Sequence, residues 1–358
     1  MLNYFYAINV ISMEKNNTTA VLLIYTGGTI GMIQNCETGA LESFAFERLI
    51  RNVPELKRFE CRIDVHQFEK PIDSSDMHPS VWSELVRIIN DNYSKYDGFV
   101  ILHGTDTMAY TASALSFMLE DLCKPVVLTG SQLPIGMLRT DGKENLITAI
   151  EIASARTEDG RPVVPEVCIF FESHLLRGNR TTKINAENFD AFRSYNYPPL
   201  AVAGINIKYN SDRIAKVDFS KPLKPHFGYD TNVIVLTLFP GIQENIIGNV
   251  LRTPGLRAVA LKTFGAGNAP QQPWFIELLK EAIARGVIII NISQCLAGMV
   301  QMRLYETGLR LLDAGVISGY DCTVECILTK LMYLLAENDD PHKIAELMNV
   351  PLAGEFTV

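Results

Sequence analysis

The 358-residue chain has no apolar run near the ~20 residues that a helix needs to cross a bilayer, so membrane insertion is not expected. It has no cluster of Lys and Arg either. With a formal net charge of -8 and a pI near 5.4, it offers little to neutralise phosphates, and a nucleic-acid partner is disfavoured. Seven cysteines (Cys36, Cys61, Cys123, Cys168, Cys295, Cys322 and Cys326) are scattered without metal-ligand spacing. Cys322 and Cys326 are one helical turn apart, with no matching pair or histidine, and free thiols in a reducing compartment are the simplest account. No GxGxxG follows a strand, and GxxxxGKS/T, HExxH, GxSxG and CxxC do not occur, so no metal and no cofactor are expected.

What the chain does have is an ordinary globular balance, 47% hydrophobic and 20% charged, at a length that suits two domains around sizeable cores. Residues 1–18 read as an N-terminal extension. Met1 to Ser12 is mildly apolar yet lacks a basic leader and a small-residue cleavage site, and Met13 is a candidate start.

The stretch that organises the rest is VLLIYTGGTIG, Val21 to Gly31. Val21 to Tyr25 is apolar without alternation, as in a strand covered on both faces. Gly27 and Gly28 then permit a sharp turn, and Thr29 brings a hydroxyl to it. On this stretch alone an incidental turn threonine reads equally well. Thr26 is assigned to the strand end or the turn.

The same order recurs downstream. After a polar segment, Gln34 to Ser43, a helix is expected over Phe44 to Leu56 and a strand over Ile63 to Phe68. PIDSSDMHP, residues 71 to 79, then gathers Asp73, Ser74, Ser75 and Asp76 before a helix. One helix N-terminus uses one cap, Asp76 or Ser75, which leaves three polar groups unexplained. Strand Asp97 to His103 leads to Gly104-Thr105-Asp106-Thr107 and a helix to Leu122. Strand Lys124 to Thr129 leads to Gly130-Ser131-Gln132 and a helix from Gly142, with Asp141 at its start. Such loops gather at the carboxyl edge of a parallel sheet, where open α/β sheets bind ligands. His103 reads as a packed histidine rather than a catalyst.

Strand Val167 to Phe171 opens into HLLRGNRTTKINAENFDAF, a cationic segment that carries Arg177, Arg180, Thr182 and Lys183. It reads either as a solvated loop or as the source of a lysine base. Residues 210–229 shift to Lys, Asp, Pro and Ser and read as a linker. Beyond it, strands Asn232 to Phe239, Leu256 to Phe264 and Val287 to Ile292, the loop GAGNAPQQP and four helices complete a second half. The expected fold class is α/β: a larger N-terminal three-layer domain with a mostly parallel sheet over 19–209, and a smaller C-terminal domain with a parallel sheet over 230–358. Hydroxyls with an acid and a base, without a metal pattern, fit acyl transfer.

These residues carry a resemblance. TGGTIG (26–31), DSSD (73–76), HGTDTMAYTA (103–112), LTGSQLP (128–134) and RGNRTTK (177–183) resemble the bacterial L-asparaginases, with the type I, cytoplasmic branch the better match. GAGNAP (265–270) and the closing helices extend the likeness to nearly all of the chain after Thr18, and TGGTI with HGTDT at this separation is a highly specific pair.

The resemblance implies an amidohydrolase that converts L-asparagine to L-aspartate and ammonia, with 19–209 as its catalytic domain. It implies Thr29 as nucleophile, and Thr105, Asp106 and Lys183 as the second catalytic group. Asp73, Ser74 and Ser75, with Thr105 and Asp106, are then the substrate-binding set. The family's lid tyrosine has no counterpart between Gln34 and Phe46. The resemblance also implies a homodimer or homotetramer, a cytoplasmic location, and asparagine as candidate effector at a set of Thr182, Lys262 and Cys295. Lys262 stands where that set has an arginine and cannot reproduce a bidentate carboxylate clamp, so weak or absent cooperativity is expected. As a residue by itself, Cys295 reads as a small buried hydrophobe. A tRNA-dependent amidotransferase subunit and a non-catalytic amino-acid sensor are the alternatives.

Overall fold

Continuous apolar runs without polar alternation make strands that bury both faces, and four segments in the first half meet that description. In the computed structural model, which describes residues 19–34, 41–43 and 53–358, Ala20–Gly27 (β1), Gly98–Leu102, Val126–Thr129 and Val167–Phe171 are buried at every residue. The extension 1–18, Cys36, and the helix expected over Phe44 to Leu56 up to residue 52 lie outside the described residues. Pro54–Arg58 is a 3-10 turn.

The large sheet has eight strands. We label them β1, β2 (Arg62–Ile72), β3 (Gly98–Leu102), β4 (Val126–Thr129), β5 (Val167–Phe171), β6 (His174–Arg177), β7 (Ala201–Ala203) and β8 (Ile207–Tyr209). Their order is β8-β7-β6-β5-β4-β3-β1-β2. The strands from β2 to β5 pair parallel, and β5 to β8 form an antiparallel meander. Strand order reverses at β1, which has β2 on one side and β3 on the other; in open α/β sheets this switch point opens a crevice at the strands' carboxyl ends. Register sets the loops level there: Gly27 lies opposite Ile72, Tyr25 opposite Leu102, and Leu102 opposite Thr129.

The first unit comprises the described residues up to Ser194 together with Pro198–His226, and the second comprises Tyr195–Tyr197 with Phe227–Val358. Much of the stretch read as a linker is therefore an arm of the first unit. Lys224–Pro225 pairs antiparallel with Leu119–Glu120, and the Ala215 N–H donates to Glu166 Oε1 at 2.7 Å. Its polar composition reflects exposure on that unit. The helix expected to reach Leu122 stops at Met118, where Leu119–Glu120 turns to meet this arm.

In the second unit, Val233–Thr237 (β9), Ala258–Thr263 (β10), Ile288–Ser293 (β11) and Ile317–Ser318 (β12) form a parallel sheet in sequential order. Phe275, Leu279, Ile247 and Leu251 supply its core from two helices, of which Glu244–Leu251 was not expected from sequence. Among the described residues no helix is long and apolar enough to cross a membrane.

Candidate active site at the carboxyl edge of the large sheet

Three turns meet beyond β1, β2 and β3, and glycine lets them approach. Gly28 has φ +87°, and a Cβ added there would lie 2.5 Å from both Cα and N of Gly104. The TGGT turn thus rests directly on the backbone that precedes Thr105. A Cβ on Gly104 would in turn lie 2.5 Å from Ser74 Oγ. Contacts this close leave no room for a side chain. Thr29 opens the 3-10 turn Thr29–Gly31 and is half-buried. Beneath it, Tyr25 is fully buried and its hydroxyl donates to Gly31 O at 3.3 Å. Thr26 is also buried, and its hydroxyl donates to Leu102 O at 2.9 Å, which turns it into the sheet and away from the turn's outer face.

The DSSD segment ties the turns together. Asp73 Oδ1 accepts from the Ser75 N–H and from Ser75 Oγ, each at 3.0 Å. Ser74 is buried; its Oγ accepts from the Asp106 N–H at 3.3 Å, and its carbonyl accepts from Thr107 Oγ1 at 2.7 Å. The cap of the following helix falls to His78, whose Nδ1 accepts from the Ser80 N–H at 3.2 Å, and to neither Ser75 nor Asp76.

Lys183 reaches the site from far along the chain. It sits in the two-residue strand Thr182–Lys183, opposite Phe192, whose ring packs 5.0 Å from that of Phe171. Its Nζ donates to Thr105 Oγ1 and to Asp106 Oδ1, both at 2.7 Å. The lysine side chain is 17% exposed and the aspartate 62%, so the cation is sheltered while the carboxylate faces solvent. Arg177 of the same cationic segment does structural work, with Nε 2.6 Å from Glu166 Oε2.

Behind Thr105 lies a buried chain of hydrogen bonds. His103 is fully buried, and desolvation lowers its pKa to about 4, so it is neutral at neutral pH. Nδ1 is 2.7 Å from Gly104 O, a pure acceptor, so Nδ1 carries the proton. Nε2 then accepts from Thr111 Oγ1 at 2.9 Å, and Thr111 accepts from Trp82 Nε1 at 3.1 Å. His103 is therefore a strut that fixes the Gly104–Thr105 turn.

A fourth turn, which sequence reasoning noted without giving it a role, completes the site. Thr105 Oγ1 lies 3.2 Å from Gln132 Oε1, and the backbone N–H groups of Gln132 and Leu133 donate to Asp141. Burial raises the pKa of that carboxyl against these hydrogen bonds. Asp141, expected at a helix start, makes no side-chain cap bond; it anchors the Gln132 turn instead. The signal was the third repeat of strand, glycine and polar residue.

The candidate effector residues fall in different units. Thr182 is in the first, paired opposite Arg193. Lys262 and Cys295 are in the second, Lys262 in β10 opposite Ile292 of β11. Cys295 is exposed, contrary to its reading as a buried hydrophobe, because it follows β11 in a loop whose residues 295–299 are all exposed. Among the described residues no group of His, Cys, Asp and Glu could hold a metal ion.

Chemically, the crevice offers a half-buried hydroxyl on a turn, a second hydroxyl hydrogen-bonded to a sheltered ammonium, and carboxylates at its rim. That set suits acyl transfer from a small zwitterionic amide. The chain belongs to the asparaginase family: the N-terminal asparaginase model matches residues 20–215 and the glutaminase/asparaginase C-terminal domain matches residues 232–348. It is 44% identical to L-asparaginase 1 of Escherichia coli (strain K12), over 96% of this chain and 99% of that protein. It resembles the crystal structure of L-asparaginase I from Vibrio cholerae with a TM-score of 0.86 and 45% identity, covering 96% of this chain and 100% of that one. It is also 33% identical to a glutamyl-tRNA(Gln) amidotransferase subunit from Thermococcus kodakarensis, over 96% of this chain and 78% of that protein.

Proposed function

We propose that this protein hydrolyses the side-chain amide of L-asparagine to L-aspartate and ammonia. Thr29 Oγ1 attacks the amide carbon, the C–N bond breaks, nitrogen leaves with a proton as ammonia, and water cleaves the resulting ester. Thr105, Asp106 and Lys183 handle the protons. Asp73 and Asp106 receive the substrate's ammonium, while Ser74 and Ser75 serve its carboxylate. The observation that carries this reading is Lys183 Nζ at 2.7 Å from both Thr105 and Asp106, on a turn pressed against that of Thr29. All of these residues fall within 19–209, the catalytic domain in this reading, with 230–358 as the second domain.

The test is ammonia release from asparagine and from glutamine by the parent and by Thr29→Val. Loss of release with retained folding is expected, and full activity in Thr29→Val would overturn the mechanism. The acidic net charge of -8 weighs against the amidotransferase alternative, which requires a tRNA partner. A cytoplasmic homodimer or homotetramer belongs to the same proposal, as does the effector set of Thr182, Lys262 and Cys295. Sedimentation of the active enzyme tests the assembly.

A further inference from the structure

The Thr105 hydroxyl has one proton and two lone pairs to distribute. Lys183 Nζ also approaches Asp106 Oδ1, a distance of 2.7 Å that fits a protonated amine. An ammonium has no lone pair to accept with, so the 2.7 Å contact from Nζ to Thr105 Oγ1 is a donation from Lys183. The Thr105 proton must then point elsewhere, and the acceptor at hand is Gln132 Oε1 at 3.2 Å. The amide cannot flip to reverse this, because its Nε2 donates to Asn188 O at 3.0 Å. Its backbone cannot drift either, since the Gln132 N–H lies 2.9 Å from Asp141 Oδ2. Asn188 belongs to the loop that returns from Lys183 to Phe192, so one side chain spans the turn that carries Thr105 and the loop next to Lys183.

We propose that Gln132 is a positioning residue for the reaction. By accepting the hydrogen bond of the Thr105 hydroxyl, it leaves one Thr105 lone pair for Lys183 and turns the other toward the crevice, where it accepts a hydrogen bond from Thr29 or the hydrolytic water and so orients that nucleophile. Gln132 moves no proton itself, because a neutral amide is neither acid nor base at working pH; it sets the direction of the hydroxyl. This role rests on the reading of Thr105 and Lys183 as catalytic groups. Without the amide oxygen, the Thr105 hydroxyl rotates freely and spends part of its time with its proton facing the substrate.

The experiment compares asparagine hydrolysis by the parent, Gln132→Met, Gln132→Glu, Thr105→Val and the double variant Gln132→Met/Thr105→Val, with thermal unfolding to establish that each folds. Gln132→Met keeps the size and removes the acceptor, and we expect kcat to fall about tenfold to a hundredfold with KM little changed, the scale of one lost hydrogen bond that leaves its donor unpaired. Gln132→Glu keeps an acceptor facing Thr105 and should retain more of kcat than the methionine variant. In the Thr105→Val background Gln132→Met should cost nothing further, because its route of action is gone. Additive losses, an effect confined to KM, or a methionine variant at least as active as the glutamate variant would each overturn the role. Full activity in Thr105→Val would instead overturn the reading of the site itself.

Discussion

Replacing Gly28 with alanine should weaken the first unit and disable the crevice together, and two terms can be separated in advance. At φ +87° and ψ 172° Gly28 lies in a backbone region that is essentially glycine-only, where an L-residue pays roughly 1–3 kcal/mol. The added Cβ would also lie 2.5 Å from Cα and N of Gly104, against an ordinary carbon contact of about 3.5–4.0 Å. Both obstructing atoms are backbone, so the two turns must part by about 1 Å, and overpacking of that kind costs roughly 1–3 kcal/mol. The sum is about 2–6 kcal/mol. Two other glycines supply the controls: Gly160 has φ +80° with nothing within 4 Å of the added carbon, and Gly136 has open space and no positive φ. Gly160→Ala should therefore show a positive-φ backbone cost without the steric one, while Gly136→Ala should be neutral or stabilising by roughly 0.4–1 kcal/mol through the unfolded chain. Denaturant midpoints with their slopes give the stability order, and ammonia release gives the rate. Parting the turns moves Thr29 away from Thr105, and a displacement near 1 Å is worth about a hundredfold in rate. If Gly28→Ala proved as stable as Gly160→Ala and kept the parent rate, the close approach of the two turns would not be what builds the site.

Other consequences follow from the buried polar groups and from Lys262. Burial lowers the His103 pKa from 6.5 to about 4, so the unfolded chain takes up a proton that the folded one refuses. The stability held by this group is complete above about pH 6.5 and is lost as pH falls toward 4, by roughly 3 kcal/mol; His103→Gln should lack that part of the acid dependence, and identical pH profiles of unfolding would refute it. Lys330 and Glu355 form an ion pair of 2.6 Å with side chains 1% and 0% exposed, and Glu355 also accepts from the backbone of Leu352 and Ala353. Glu355→Gln should cost about 3–5 kcal/mol by stranding the ammonium, Lys330→Met/Glu355→Gln should cost less than the two single changes added, and strict additivity would count against the pair. Because Lys262 cannot form a bidentate clamp, the rate should rise with asparagine concentration along a hyperbola, and a clearly sigmoidal curve would refute that expectation.

The strands of the large sheet were legible because a strand buried on both faces has no polar positions to disguise its length: Val167–Phe171 was found to the residue. Their loops were legible as glycine followed by polar groups. What stayed hidden was non-local. Nothing near Lys183 states that its amine reaches Thr105 and Asp106, 78 and 77 residues earlier, because that approach depends on the two-residue strands Thr182–Lys183 and Phe192–Arg193, too short for any periodicity. The arm to His226 was hidden for a related reason, since polar residues that run over one unit have the composition of a linker.

The caps were the most misleading feature and also the most informative. A helix has one N-cap to fill, yet four polar residues, Asp73 to Asp76, precede this one, and the helix uses neither of the two cap candidates, Ser75 and Asp76, taking His78 instead. Ser74 joins the turns of β2 and β3, and Asp141, at the start of another helix, secures the turn of Gln132. Short polar side chains suit both tasks, because capping and loop-to-loop bonding each require an acceptor a few bonds from the backbone. Such residues become evidence of a site only when they exceed what the adjoining helix can use. By that measure the excess before residue 79 pointed to the crevice more firmly than the glycine turn around Thr29, whose hydroxyl acquires a chemical context only from the turns pressed against it.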